Sequence, residues 1–363
     1  MPSSSHVPNV AITILLEALA TPGAGFGTVT HMVDEAEGLG NGLGGARHLD
    51  FLDTTEVATA LAAAQITAAV SAACNVAFAQ VPAPTKFRVC RVDTGGAETY
   101  SDALALLEAI PGVVGDLYGF TMDTRTPATQ LAFAATIEAS SFNYTLMLQD
   151  ATWLTTGDPA AWTAATEYAK SGHVFHDADT AWLDVGIMVG NLAWDPDFKS
   201  VGWERQARGT IAAYTAYVTA AQRAFAIANN SAVMGTWGST DFWVDNVVTF
   251  DGRPFYERLT ADWFEARLSE DIQTMHQRES AAGRKVLVAE SGMSQLISVI
   301  RSRVADAEKA QHFTPGQTVI YPQAITDADR TARRLRVNIE AQIGISARTF
   351  TITANLSTTE VIS

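Results

Sequence analysis

The sequence has little cysteine, little basic charge and no long apolar run, and each shortage excludes a class of protein. Its 363 residues include two cysteines, too few for a disulfide framework, so we expect Cys74 and Cys90 to be buried free thiols. No apolar run reaches the ~18 residues that cross a bilayer. Residues 1–6 lack the basic region of a signal peptide, so we expect the chain to fold in a cytoplasm.

The shortage of basic residues gives a formal net charge of −15, which argues against nucleic acid and anionic membrane as partners. Residues 1–250 carry 10 Lys/Arg and 25 Asp/Glu, whereas residues 251–363 carry 14 of each. Two interpretations follow. Either two faces of an assembled protein meet different environments, or this is an acidic protein with a charge-balanced C-terminal region.

The motifs of nucleophilic, zinc-dependent and nucleotide chemistry are also missing. There is no Gly-x-Ser-x-Gly elbow, His-Glu-x-x-His pair or Walker loop. Gly40-x-Gly42-x-x-Gly45 matches the dinucleotide fingerprint, but three acidic residues separate it from the preceding strand, and carboxylates repel phosphate. We interpret this segment as a surface loop.

One further motif contains the residue types that bind metal ions. His173-x-x-His176-Asp177-x-Asp179 lacks a marked third ligand elsewhere, so we interpret it as an exposed loop. No pair of carboxylates stands out as an acid–base dyad. The sequence therefore predicts no catalytic, cofactor-binding or metal-binding residues, and no enzyme.

The order of elements predicts an α/β fold. A helix-covered, mixed and largely parallel sheet forms the body, and a C-terminal α+β region follows it. The patterns predict one or two helices over 54–80, and further helices over 101–110, 127–139, 158–170, 211–229 and 291–309, with Phe264, Leu268, Ile272 and Met275 on one face of another. They predict strands over 26–33, 86–92, 115–122, 144–148, 174–175, 185–189 and 232–237, and a hairpin-like turn at 247–255.

Both ends of the chain contain a strand pattern. Residues 349–356 alternate polar and apolar side chains without a break, and residues 9–16 form a similar run. An edge strand exposes N–H and C=O groups that a second chain can complete, so we expect these arms to pair with other subunits. The residues assigned to the arms are Val10, Ile12, Ile14, Leu16, Phe350, Ile352, Ala354 and Leu356. The predicted hinges are Pro22, Gly23, Gly25 and Gly344.

Several stretches in the C-terminal half resemble the contractile-tail sheath proteins of bacteriophages, in the short version found in small myophages. They are Asp251-Gly252-Arg253, residues 259–268, the helix 291–309, residues 328–335 and the strand 349–356. Residues 77–84, followed by a strand, also resemble a helix-to-strand junction of that family. The likeness covers about 200 residues in order.

The resemblance implies a structural function. Sheath subunits stack as hexameric rings around a tail tube, their terminal arms add strands to neighbours, and contraction drives the tube through the host envelope without a nucleotide. It implies an N-terminal arm (1–24), an outward-facing body (25–240), a tube-facing C-terminal region (241–345) and a C-terminal arm (346–363). Arg301 and Arg303 lie about 200° apart around the helix, so both cannot face the tube. Arg301 is the favoured tube contact, because it shares a polar side with Ser294 and Ser298.

The implied partners are further copies of the chain, the tail tube protein, and the baseplate and tail terminator proteins, with no cofactor. The implied location is the virion, with assembly in the host cytoplasm. Two alternatives stay open. One is a cytosolic α/β enzyme with a small-molecule or nucleotide pocket at the carboxyl ends of its strands. The other is the sheath of a tailocin-like contractile injection system.

Overall fold

The computed structural model describes residues 9–12, 25–34, 46–150, 167–203, 211, 218–237 and 241–344, with backbone alone at 9–12, 235–237 and 241–243. The described strands are β1 (Asn9–Ile12), β2 (Val29–Asp34), β3 (His48–Phe51), β4 (Phe87–Val92), β5 (Gly119–Met122), β6 (Thr145–Asp150), β7 (Ser171–Phe175), β8 (Ser231–Trp237), β9 (Asp241–Asp245), β10 (Phe313–Pro322) and β11 (Val337–Ile343). The described helices are α1 (Thr54–Ala62), α2 (Ala68–Phe78), α3 (Tyr100–Glu108), α4 (Pro127–Ala139), α5 (Leu183–Leu192), α6 (Ala220–Ala228), α7 (Phe255–Ala281), α8 (Glu290–Lys309) and α9 (Asp327–Thr331).

The body is built on an eight-stranded sheet in the order β3-β4-β2-β5-β6-β7-β8-β9. The six central strands run parallel, and the edge strands β3 and β9 run antiparallel to their neighbours. Helices lie on both faces, so the central strands are buried on both sides; β6, for example, is buried at every residue. The predicted α/β fold with a mixed, largely parallel sheet is confirmed.

The two faces of this sheet bury separate hydrophobic cores. The larger core contains α2, α5 and α7 together with apolar residues of α8, β10 and β11. The smaller contains α3, α4 and Phe250, on the opposite face. Because α7 and α8 belong to the larger core, the C-terminal region packs on one face of the body sheet rather than standing apart from it.

Helix starts follow the local sequence. The side chain of Asp53 accepts hydrogen bonds from the N–H groups of Thr55 and Glu56, at 2.7 and 2.9 Å, and so caps α1, which begins at residue 54 like the predicted segment. Residues 54–80 form two helices, and Thr67 caps the second of them. Pro127 occupies the first turn of α4, where a backbone N–H has no partner within the helix, so the absence of an N–H in proline costs no hydrogen bond. In α7, Phe264, Leu268 and Ile272 are buried on one face, as their spacing predicts.

Two predicted elements are wrong. Residues 185–189 belong to the helix α5 and not to a strand, because α5 is buried at every residue and therefore shows no amphipathic period. The motif that begins at His173 is not an exposed loop: His173 lies in β7, and both it and His176 are buried.

Other predicted boundaries shift. In the predicted helix 158–170, residues 167–170 are not helical, and the rest lies outside the described residues. In the predicted helix 211–229, α6 covers Ala220–Ala228 alone among the described residues. The domain boundary expected at residue 240 lies between β8 and β9, which pair with each other, and the division into domains stays a prediction. The turn at 247–255 is confirmed, since Thr249 N–H donates to Arg253 O at 2.8 Å and Gly252 has a φ of +84°.

Candidate assembly surface

A second, three-stranded sheet joins the N-terminal strand to two strands of the C-terminal region, in the order β1-β11-β10. β11 is its central strand and runs antiparallel to both neighbours. Opposite β1, the Cα partners run from Asn9 with Gln342 to Ile12 with Ile339, so four residue pairs hold the N-terminal strand. The edge of β11 that faces β1 is therefore an acceptor for one added strand.

The outer edge of β10 faces no other strand in the described part of the chain. Its side chains alternate in exposure, and Val319 and Tyr321 keep 47% and 44% of their surface in contact with solvent. Between Phe313 and Thr318 a bulge interrupts the ladder of β10 with β11, and the register shifts by three residues. From Thr318 onward the outer edge of β10 is regular and presents backbone groups that no described strand pairs with. A strand from another chain can complete such an edge.

Most predicted arm residues lie outside the described residues. Val10 and Ile12 are in β1, which confirms a strand at this end of the chain. Ile14, Leu16, Phe350, Ile352, Ala354 and Leu356 fall outside the described ranges. In this single chain β1 lies against β11 of the same molecule. Pairing of either arm with a neighbouring subunit stays a prediction.

Two of the four predicted hinges are fixed to the body. Gly25 donates its N–H to Gly115 O at 2.9 Å, and a Cβ atom at Gly25 would approach Asp116 Oδ1 to 2.9 Å. Gly344 donates to His312 O at 2.8 Å, and a Cβ atom there would lie 2.6 Å from Gln311 O. These contacts fix the points at which the arms leave the body. Pro22 and Gly23 fall outside the described residues, and the hinge function of all four stays a prediction.

The helices α7 and α8 form a pair with an open groove of about 450 Å³ between them. The two arginines of α8 point in different directions around the helix and differ in environment. Arg303 donates to both oxygens of Asp271 at 2.8 and 3.0 Å, and so belongs to the contact between the helices. Arg301 is exposed and forms no ion pair with a described residue. Its guanidinium is available to a partner, and its contact with a tube stays a prediction.

His312 attaches the small sheet to the body. Its Nε2 lies 2.8 Å from the carbonyl oxygen of Pro196, which can only accept, so Nε2 carries the proton. Its Nδ1 therefore accepts from the hydroxyl of Thr260, also at 2.8 Å. The ring stacks on Trp263 with centroids 4.2 Å apart, and burial lowers the pKa of His312. A neutral imidazole thus connects the start of β10, the helix α7 and the loop after α5.

Beside it, Asp197 binds two side chains of α7. Trp263 Nε1 donates to Asp197 Oδ1 at 2.7 Å, and Arg267 donates to both carboxylate oxygens. Hydrogen bonds from Arg267 and Trp263 hold the pKa of Asp197 below its usual value in spite of partial burial. The loop after α5 is therefore fixed to α7 by three charge-assisted bonds.

A buried carboxylate connects α7 to the parallel sheet. Asp262 accepts from Tyr118 Oη at 3.0 Å and from both sides of the Arg258 guanidinium at 2.9 Å. Arg258 also donates to Asn143 Oδ1 at 3.2 Å. Burial raises the pKa of Asp262 to about 6, although Arg258 opposes this. These contacts position α7, and through it the small sheet, on the body.

The carboxyl edge of the parallel sheet, where doubly wound folds bind ligands, is acidic. The strands β4-β2-β5-β6-β7 follow a flavodoxin-like order, and the switch point lies beside β2. Asp34 ends β2, Asp93 follows β4 and Asp123 follows β5. Asp123 accepts from Tyr100 Oη at 2.5 Å and from Asp34 N–H at 2.8 Å, so these groups are committed to one another. Such an edge does not favour a phosphate.

The sequence motifs for cofactors and metals do not form a site in the described residues. Gly40, Gly42 and Gly45 fall outside them. His173 Nδ1 pairs with Ser231 Oγ at 2.8 Å, and burial lowers the pKa of His173 to about 4. Within the described ranges no three His, Cys, Asp or Glu side chains are grouped as metal ligands, and no described helix has the length and hydropathy to cross a bilayer.

Comparison with known proteins places this architecture. No protein-family model and no curated protein matches the sequence. Solved structures do match. The helical sheath of the anti-feeding prophage in its contracted state aligns with a TM-score of 0.64 at 10% identity, over 93% of this chain and 95% of that one. The chain has the fold of contractile sheath subunits.

Two further structures support the same conclusion about the sheath fold. A chain of the six-fold symmetrised anti-feeding prophage baseplate aligns with a TM-score of 0.65 at 10% identity, over 93% of this chain and 95% of that one. A chain of the sheath complex of an extracellular contractile injection system, PVC, in its contracted state gives 0.62 at 11% identity, over 94% of both chains. The fold implied by the sequence resemblance is confirmed at near full length.

Sequence reasoning missed β10 and the cluster around His312. β10 contains Pro315, Gly316 and mostly polar residues, since one of its edges and much of its surface face solvent. The available signal was the alternation of Thr318, Val319, Ile320 and Tyr321 before Pro322, a short β-prone run that ends at a proline. His312, Pro196 and Thr260 are distant in sequence, and no local pattern connects them.

Proposed function

We propose that this chain is the structural subunit of a contractile sheath, which polymerises as stacked rings around a tail tube and contracts to drive the tube through a cell envelope. The observation that carries the proposal is the small sheet β1-β11-β10, which joins the N-terminal strand to two strands of the C-terminal region and, among the described strands, leaves the outer edge of β10 without a partner. A subunit with strand-forming arms and matching strand edges can bind copies of itself. The near full-length likeness to sheath structures supports the same function.

In this proposal the arms are the functional site and the partner is the neighbouring copy. The strand at 349–356 adds to a neighbour's small sheet, where the outer edge of β10 offers regular backbone groups from Thr318 onward. Backbone pairing does not depend on side-chain identity, so such a joint holds while subunits rotate past each other, provided that the connecting segments bend. Pro22 and Gly23, beyond the fixed point at Gly25, serve as that bend at the N-terminal arm.

The C-terminal region faces the tube, and Arg301 contacts it. The support is the charge distribution together with the exposure of Arg301, since residues 251–363 are neutral overall and the remainder carries −15. A tube protein, a baseplate protein and a terminator protein complete the set of partners. The energy of contraction is stored at assembly, so the subunit is not an enzyme and needs no nucleotide. The particle is a phage tail, with assembly in the host cytoplasm.

A tailocin-like or other contractile injection system is a second candidate for the particle, because the matching sheath structures come from such systems. The subunit chemistry is the same in both. Electron microscopy of the particles from the producing cell distinguishes them, since a capsid full of DNA is attached to a phage tail and absent from an injection system.

Deletion of residues 350–363 tests the proposal. The described part of the chain ends at Gly344, before the deletion begins, and we expect the truncated chain to remain folded and monomeric but to form no sheaths or tubes. Deletion of residues 360–363 alone keeps the strand 349–356 and is the matched control, which should polymerise normally. Normal tubes from the longer deletion, seen by negative-stain microscopy, would contradict the proposed function of the arm.

A further inference from the structure

One aromatic side chain projects from the loop after α5. Phe198 keeps 80% of its surface in contact with solvent, the largest exposed fraction among the described aromatic side chains. A single exposed apolar residue is ordinary on a protein surface and indicates nothing by itself. The backbone that carries Phe198 is what distinguishes it from the other exposed apolar residues.

The turn that carries Phe198, residues 195–200, is bonded to the body on both sides of the ring. On one side, the carboxylate of Asp197 accepts three hydrogen bonds from side chains of α7. On the other side, Ser200 N–H donates at 2.7 Å to the carbonyl oxygen of Ala310, just after α8. An exposed ring on a fixed backbone loses little conformational freedom when it binds, so this turn presents Phe198 as a preformed anchor.

The open groove between α7 and α8 is the matching feature. Met275 and Val299 supply its apolar lining, and both are half-buried. Three carboxylates and two guanidiniums also line the groove, and the carboxylate of Asp306 is 56% exposed. Phe198 is followed by Lys199, an exposed cation. An aromatic ring next to a cation therefore complements an apolar groove with an excess of carboxylates.

Phe198 does not fill the groove of its own chain, although the two features are close together. Arg303 lines the groove and lies over the ring of Trp263, 5.8 Å from its centroid, and Trp263 donates to Asp197 in the turn. The bonds on both sides of Phe198 prevent the ring from turning into that groove. Both features are thus open in the single chain, and a second copy supplies the partner of each.

We propose that Phe198 of one copy inserts into the groove between α7 and α8 of a second copy. This inference rests on the proposed sheath function and adds to it a contact between side chains, separate from the pairing of the arms. The contact is heterologous, because each copy offers its Phe198 to one neighbour and its groove to another. Contacts of this type generate rings and helical filaments.

The groove and the proposed tube contact lie on different sides of α8. Val299 lines the groove, and Arg301 follows it by two residues, which places the two side chains about 200° apart around the helix. A neighbouring copy in the groove therefore leaves Arg301 accessible. One subunit can bind a second copy and a tube at the same time.

Phe198→Ala tests the anchor. Because the side chain is exposed, the thermal midpoint should not change, whereas the concentration needed for tube formation should rise by about tenfold or more. Leu52→Ala is the matched control, since Leu52 is 58% exposed at the far edge of the body sheet, and it should polymerise like the unmodified chain. Sedimentation of tubes over a dilution series measures both variants.

Cross-linking between two single variants tests the contact itself. Phe198→Cys is mixed with a tagged Ser302→Cys chain, whose new thiol lines the groove, and assembled tubes are treated with a short bismaleimide. Covalent dimers that contain one tagged and one untagged chain should form. Ser294→Cys is the control for Ser302→Cys, because it is exposed on α8 about 12 Å further along the axis and does not line the groove.

The native Cys74 and Cys90 do not interfere with this experiment. Both are buried, and burial raises the pKa of each thiol to about 12, so neither reacts with the maleimide under conditions that label an exposed thiol. A mixed dimer therefore reports the two introduced thiols alone.

Tubes that form normally from Phe198→Ala, or tubes that give no mixed dimers with Ser302→Cys, would overturn the proposal. Normal self-assembly of Phe198→Ala together with lost binding to the tail tube would overturn it as well, and would assign Phe198 to the tube protein. All three results leave the sheath function intact, because tubes are present. Absence of tubes from the unmodified chain would instead count against the sheath function itself.

Discussion

Arg267 and Asp197 are joined by two hydrogen bonds, from Nε to Oδ1 at 2.8 Å and from Nη2 to Oδ2 at 3.0 Å. Arg267 lies in the long helix α7, and Asp197 lies in the loop after α5. This bidentate pair, with Trp263 donating to the same carboxylate, fixes the C-terminal region to the body. If contraction is a rigid-body movement of subunits, each subunit needs internal joints of this kind to transmit force.

We expect Arg267→Lys to lower the free energy of unfolding by about 1–3 kcal/mol, because lysine keeps the charge but cannot form the two-pronged contact with Asp197. Urea unfolding followed by tryptophan fluorescence measures the change. Arg284→Lys is the matched control: Arg284 forms a similar pair with Glu279, but its side chain is 64% exposed, so we expect no measurable change. Equal effects at both positions would contradict the importance of the Asp197 joint.

We expect the unfolding free energy contributed by Asp262 to fall as pH rises from about 4 to above 6. The folded pKa of Asp262 is about 6, above its unfolded value of 3.8, so the folded state holds the extra proton in that window. Stability therefore decreases as this proton is lost. Asp262→Asn removes the titration. The difference in unfolding free energy between the native chain and this variant should favour the native chain most below about pH 4 and should shrink as pH rises past 6. A difference independent of pH would be contrary evidence.

We expect Arg301→Glu to leave the thermal midpoint and the self-assembly of the subunit unchanged, because Arg301 is exposed and forms no ion pair with a described residue. Binding to the tail tube of the same particle should weaken by about tenfold or more, since a charge at the contact is reversed. Co-sedimentation of tubes and sheath subunits measures the loss. Arg301→Lys keeps the charge and should bind the tube nearly as well as the unmodified chain. If Arg301→Glu also binds as well as the unmodified chain, Arg301 is not part of the contact.

We expect ATP, NAD and related nucleotides to give no thermal stabilisation. Asp34, Asp93 and Asp123 lie at the switch point where a doubly wound fold would bind a phosphate, and their carboxylates repel it. A ligand present at 100 times its dissociation constant would add about 2.7 kcal/mol to the unfolding free energy. A shift of that size with any nucleotide would favour the enzyme alternative over the structural one.

The body of the fold could be predicted because the hydrophobic patterns of its strands and helices lie within short stretches of sequence. The buried parallel strand β6 contains a short apolar run, and α7 places Phe264, Leu268 and Ile272 at helical spacing. The hydrophobic period did not identify α5 as a helix, because a helix buried on all sides resembles a buried strand in composition. β10 was missed for the opposite reason, because an exposed polar edge strand has almost no apolar signal.

The candidate assembly surface could be predicted in part. The strand pattern at 9–16 indicated β1, but alternation alone does not identify the strand that pairs with it, and β11 lies more than 300 residues away in sequence. The 200° separation predicted that Arg301 and Arg303 face different directions, but not which of them pairs with Asp271, because that contact depends on the packing of two helices. Contacts between distant segments, such as His312 with Pro196, depend on tertiary structure.

Negative-stain electron microscopy of the purified full-length chain shows whether it assembles as a sheath. We expect hollow helical tubes built of stacked rings with six subunits in each. Discrete globular particles of a single chain at every concentration and salt condition tried, with no tubes or rings, would contradict it.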